Sequence, residues 1–145
     1  MTYALATPGV FLRSSDGLTE FERGPQLFEP AMRHAAVPVR DGRLHVFWTR
    51  AGDAPESILH STVELDDDWS TLSESSPVLR PELDWEGVDA PLEPSRRSTA
   101  YGHVNQLRDP AVFVDDGPEG DGRSWLLYAV AGESGIALAE LHWDG

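Results

Sequence analysis

The sequence has no cysteine in its 145 residues, so structural disulfides, zinc-thiolate sites and cysteine nucleophiles are excluded outright. Lysine is absent as well. All 11 basic residues are arginines, which removes lysine Schiff-base chemistry and the phosphate-cradling P-loop. Against them stand 25 acidic residues, giving a net charge of −14, the reverse of the cationic patch a nucleic-acid backbone needs. Long apolar runs are missing too: the longest, Trp125 to Ala131, is seven residues, far short of a membrane span. No basic stretch leads into an apolar core after Met1, so the expectation is a cytoplasmic chain without a signal peptide.

What remains is a globular composition, 40% hydrophobic and 25% charged, which is neither disordered nor collagen-like. Eleven prolines and 13 glycines break up any sustained 3.6-residue period, so the chain reads as short strands between turns. Val37 to Val39, the Asp41-Gly42 turn and Leu44 to Thr49 form an expected hairpin. Leu44, Val46 and Trp48 alternate with His45 and Phe47, the two-residue period of a strand. Ser57 to Leu65 and Pro77 to Leu79 supply two more.

This plan recurs. Arg108 to Gly117 lines up with Arg33 to Gly42 at an offset of 75 residues. After the insertion Pro118 to Gly122, Arg123 to Tyr128 matches Arg43 to Trp48, Ala131-Gly132-Glu133 matches Ala51-Gly52-Asp53, and Ile136 to Leu141 matches Ile58 to Val63. A partial copy opens the chain, where Tyr3 to Ala6 and Val10 to Ser14 stand as second and third strands and no first strand precedes them. Repeated antiparallel units that cannot bury their faces alone are characteristic of a β-propeller. The expected fold is therefore all-β, a partial propeller of about three four-stranded blades. Its divisions are an incomplete blade over 1–31, a blade over 32–81, a long inter-blade loop over 82–106 and a blade over 107–145. A closed ring needs at least about four blades of roughly 40 residues or more, which exceeds this length.

The string Leu107-Arg108-Asp109-Pro110-Ala111-Val112-Phe113, followed by Trp125-Leu126-Leu127-Tyr128 and Gly135-Ile136-Ala137-Leu138-Ala139, resembles the five-bladed propeller glycosidases, the superfamily of arabinanases, β-xylosidases, invertases and levansucrases. Asp84-Trp85-Glu86-Gly87 is similar to a segment found between blades in uncharacterised bacterial members. The resemblance covers nearly the whole chain, which corresponds to about the C-terminal half of such a protein. It implies glycosides as substrate or ligand, no cofactor, and carboxylates at the starts of the inner strands. One carboxyl protonates the leaving oxygen while another, ionised, activates water or attacks the sugar.

Carried onto this sequence, Asp109 matches the aspartate that stabilises the transition state or tunes the acid, and Arg108 would bind sugar hydroxyls. Arg33 and His34 hold the same places in the preceding blade. Glu86 is the nearest match to the acid glutamate, with Glu93 in reserve. Trp85 is a candidate stacking platform, and His103 a candidate channel residue. The family's first-blade base has no counterpart in these residues.

Plainer readings stand beside these. Asp109-Pro110 starts a strand in many folds. Arg33 and Arg108 have ample acids to pair with, Glu86 and His103 fit solvated loop positions, and Trp85 fits an anchor that folds the loop. His45, His60 and His142 lack the close spacing of a zinc site. Asp66-Asp67-Asp68 lacks the glycine and distal glutamate of an EF-hand and reads as a solvated turn. The expected partners are thus carbohydrate, with neither nucleic acid nor membrane, and a homo-oligomer that covers open blade edges. The alternative to a glycosidase is a non-catalytic carbohydrate- or protein-binding module that self-associates.

Overall fold

The computed structural model describes residues 1–66, 69, 71–118 and 120–143. Two of the three acidic residues in the expected turn, Asp67 and Asp68, lie outside them. The chain is all-β, as its turn-punctuated sequence predicts. Among the described residues three antiparallel sheets follow one another along it. The first holds β1 (Thr2–Ala6), β2 (Val10–Ser14) and β3 (Glu22–Gln26). The central sheet has β4 (Met32–Ala36), β6 (Arg43–Arg50), β7 (Ile58–Glu64) and β8 (Ser76–Leu79) in that order, with the short β5 (Val39–Arg40) also pairing β6. The last contains β9 (Arg108–Val114), β10 (Ser124–Val130) and β11 (Gly135–Leu141). Only the central sheet reaches the four strands expected of each unit; the outer two have three each among the described residues.

The Asp-Gly turn forms where the sequence places it, but the arm before it is Val39–Arg40 rather than Val37 to Val39. Arg40 pairs with Arg43 across the two-residue loop, and Asp41 (φ +49°) and Gly42 (φ +75°) both adopt the positive φ of a type I′ turn. That turn's backbone twist matches the flanking strands, which fixes the register of β6.

Strand β6 then feeds two cores. Leu44, Val46 and Trp48 face the first sheet and pack with Phe11, Phe28 and Met32. Phe28 meets Trp48 edge to face at 5.0 Å, a geometry that adds to simple area burial. Phe47, between them on the other face, packs with Ile58 against Leu126, Tyr128 and Val130 of the last sheet. The central sheet is thus covered on both sides, and the two-residue alternation sorts side chains between two cores rather than between core and water. Strands β4 and β9 lie against each other where the central and last sheets meet. The two arginine-led pairs of the repeat lie at their starts.

Candidate functional site

Arg33-His34 follows the buried Met32 at the start of β4, and Arg108-Asp109 begins β9. The repeat makes these pairs equivalent, and the fold puts them side by side. His34 Nδ1 lies 2.6 Å from Asp109 Oδ1, with side chains 75% and 41% exposed. An ionised carboxylate only accepts hydrogen bonds, so the ring donates from Nδ1–H. A carboxylate that fixes the tautomer of an exposed imidazole is the arrangement used to orient a general base. Asp109 holds φ +48°, a left-handed conformation that short polar side chains tolerate best. Its carboxylate borders a groove of about 390 Å³ lined also by Ala111, Leu127, Glu133 and Ile136.

One residue earlier in each repeat, the side chains turn inward. Arg33 Nε stands 2.9 Å from Glu56 Oε1, and Arg108 Nε stands 3.6 Å from Glu56 Oε2. Glu56, two residues before β7, is fully buried, and neither of its oxygens receives a well-directed hydrogen bond from the arginines. Desolvation therefore pushes its carboxyl above the ordinary range, against the opposing pull of the Ser95 and Thr49 side chains and the two cations. Burial lowers Arg33 in the same way, and the Glu56 charge opposes the shift. Arg108, 2% exposed, spends its donors on Gln106 Oε1 (3.0 Å from Nε), the Ser98 carbonyl (2.8 Å) and Glu133 Oε1 (2.9 Å).

These contacts tie down the segment 82–106, whose one regular element is a 3-10 turn, Asp84–Glu86. The two Ala-Gly-acid turns grip it from both sides. Gly52 N–H donates to Ser95 Oγ and Ser95 N–H to the Asp53 carbonyl, each at 3.0 Å. In the later copy Ala131 N–H donates to the Glu86 carbonyl and Gly132 N–H to the Gln106 carbonyl.

Glu86 is buried, and its carboxylate is fully engaged. Oε2 accepts from the backbone N–H groups of Glu82 and Leu83, and Oε1 accepts from the Tyr128 hydroxyl at 2.9 Å. Burial and the Glu86 charge together raise the Tyr128 phenol, so it remains a donor. Gly87 follows at φ +91°, and a Cβ there would fall 2.1 Å from the Val104 carbonyl oxygen, so only glycine fits. Beside it Trp85 is 52% exposed.

Other loop candidates line a separate pocket of about 360 Å³. Glu93, His103 and Arg108 line it together with Arg96 and Asn105. His103 Nε2 contacts Asp89 Oδ1 at 2.6 Å, and this hydrogen bond lowers the Asp89 carboxyl. The fold thus brings His34 to Asp109, sets Glu93 and His103 in one pocket, and places Glu86 on a different cavity of about 640 Å³, lined also by Leu83 and Tyr128.

Three residues of the site escaped the sequence reading: Glu56, Glu133 and Tyr128. Their signal lay in the repeat. Two arginines at equivalent strand starts, in a chain this acidic, imply a shared buried carboxylate, but its position depends on contacts distant in sequence. Among the described residues no group of three or more His, Asp or Glu side chains is arranged to hold a metal ion, and no helix is long and apolar enough to cross a membrane.

An uncharacterized protein of Acanthamoeba polyphaga mimivirus is 37% identical to the chain over 151 residues, a match covering 92% of this chain and 41% of the viral protein. The chain therefore spans less than half the length of the curated relative it matches. No protein-family profile matches it, and no solved structure matches it significantly.

Proposed function

We propose that the three sheets are successive blades of a propeller of the five-bladed glycosidase kind, and that the chain recognises glycosides at the exposed starts of β4 and β9. The observation that carries this reading is the contact between His34 and Asp109, equivalent positions in two repeat units that meet in the open beside a groove. Sugar recognition needs exposed, preoriented acceptors and donors flanking a groove with some apolar wall, and this pair supplies them. The central sheet packed on both faces, with β4 against β9, further supports blade-like stacking.

For turnover, Asp109 is the carboxylate that meets developing charge at the sugar. Glu93 is the acid candidate open to solvent, since the Glu86 carboxylate is occupied by its own loop and Tyr128. Binding to a glycan panel and hydrolysis of an arylglycoside panel test the reading, with Asp109→Asn and His34→Ala beside the unaltered protein. Binding weakened at least about tenfold in both variants, the loss expected for one charge-assisted contact, supports it. No binding to any glycan, or binding indifferent to both changes, rejects it.

A further inference from the structure

The central sheet buries both faces, but the last sheet buries one. Under the repeat, Leu127 stands for Phe47 and Ile136 for Ile58. Phe47 and Ile58 are 3% and 0% exposed beneath the last sheet, whereas Ile136 is 80% exposed and Leu138 56%. Strand pairing aligns these open residues in rows, Phe113–Trp125–Glu140 and Ala111–Leu127–Leu138. One sequence pattern therefore makes a closed junction on the central sheet and an open apolar face on the last. The first sheet has an open face too. Phe11, Tyr3 and Leu5 point into the first core, which leaves Ala4, Leu12 and Arg23, paired across β1, β2 and β3, on the outside.

We propose that a second copy of this chain docks head to tail, its first sheet laid over the open face of the last sheet. This contact repeats, between two molecules, the junction that the central and last sheets already make within one. Charge favours the pairing. Glu140 and Arg23 are exposed, neither has an ion-pair partner among the described residues, and they flank the apolar rows that would meet. The net charge of −14 opposes any association between copies, so the contact strengthens as salt screens it.

The docking also completes a site. The groove beside Asp109 lies on this same open face, walled by Ala111, Leu127 and Ile136. The residues matching those three on the central sheet, Ala36, Phe47 and Ile58, belong to the core that fully buried Leu107, just before β9, helps to fill. Among the described residues the first sheet has three strands, none of them equivalent to β9. A docked copy therefore roofs the groove without filling it, placing the Asp109 groove between two molecules. Such a heterologous contact joins copies into a ring where its rotation closes and into longer chains where it does not, and in either case assembly grows with concentration.

Sedimentation at high salt over a concentration series tests this on the 145-residue chain. Ile136→Glu blocks the last-sheet face and Leu12→Glu the first-sheet face; if circular dichroism shows Leu12→Glu unfolded, Arg23→Glu replaces it. The wild type is expected to form concentration-dependent oligomers and each variant alone to stay monomeric. An equimolar mixture of the two variants should give a 1:1 dimer and nothing larger, because one good face remains on each. A wild type monomeric at every concentration, a dimer that survives either single change, or a mixture that stays monomeric overturns the proposal. The readout is assembly, so it stands or falls separately from sugar recognition.

Discussion

Arg33 and Arg108 share their backbone neighbourhood with His34 and Asp109, yet the two pairs have opposite fates. The arginines turn inward onto Glu56, which is 0% exposed, while His34 and Asp109 meet in the open, with side chains 75% and 41% exposed. Strand geometry explains the split, since successive side chains point to opposite sides. A charge beneath the strands must be paired and is expensive to disturb; the same kind of charge one residue later is free to meet a ligand. The inner tier therefore organises the fold, and the outer tier is the one we propose to act.

Removing the shared anion should break this contrast most severely. Glu56→Ala leaves two arginines facing a buried void, and urea denaturation should show a loss of about 3–5 kcal/mol. Glu56→Gln probes the same site through pH. Because desolvation raises Glu56 from its ordinary 4.5, the unfolded chain gives up that proton first as pH rises. The folded state then binds more protons than the unfolded one, and stability falls with pH from about 4.5 up through the raised value. In Glu56→Gln that downward slope should disappear; an unchanged slope would place its origin elsewhere.

Glu86→Ala sharpens the comparison, because the sequence groups Glu86 with the acting residues while its contacts group it with the inner tier. Its loss strands the Tyr128 hydroxyl and the N–H groups of Glu82 and Leu83, for a destabilisation of about 2–3 kcal/mol measured by the same denaturation. Asp109→Asn should do the opposite. Asparagine accepts the left-handed backbone at φ +48°, so stability should stay within about 0.5 kcal/mol of wild type.

The smallest effect concerns His45 and His60, whose ring nitrogens lie 3.1 Å apart on the face that the last sheet covers. Desolvation lowers both, with the Arg43 charge adding to it at His45 and the His45 charge at His60. As pH falls through the ordinary histidine value of 6.5, the unfolded chain takes up protons that the folded one refuses, so stability declines toward acid. Replacing His60 with phenylalanine should reduce that decline in a pH series of thermal melts.

Much of the architecture was legible because it is local. The Asp41-Gly42 turn and the alternation along β6 depend on neighbours in sequence, and the equivalence of His34 with Asp109 is a direct reading of the repeat. Their contact was not legible, since it requires β4 and β9 to lie together. Nor was the role of Arg108. An arginine after the long loop fits a sugar ligand, and only the fold reveals Gln106, Ser98 and Glu133 converging on its donors. Glu86 sat in a motif whose glycine did signal a special backbone, but the hydroxyl that binds it comes from Tyr128, 42 residues away.

The separation of an organising tier from an acting tier meets its most direct test in Asp109→Asn, with thermal stability and glycan binding measured on the same preparation. The account predicts an unchanged melting temperature together with binding weakened at least about tenfold, the loss of one charge-assisted contact. A variant that melts markedly lower, or that binds glycans as tightly as the wild type, contradicts it.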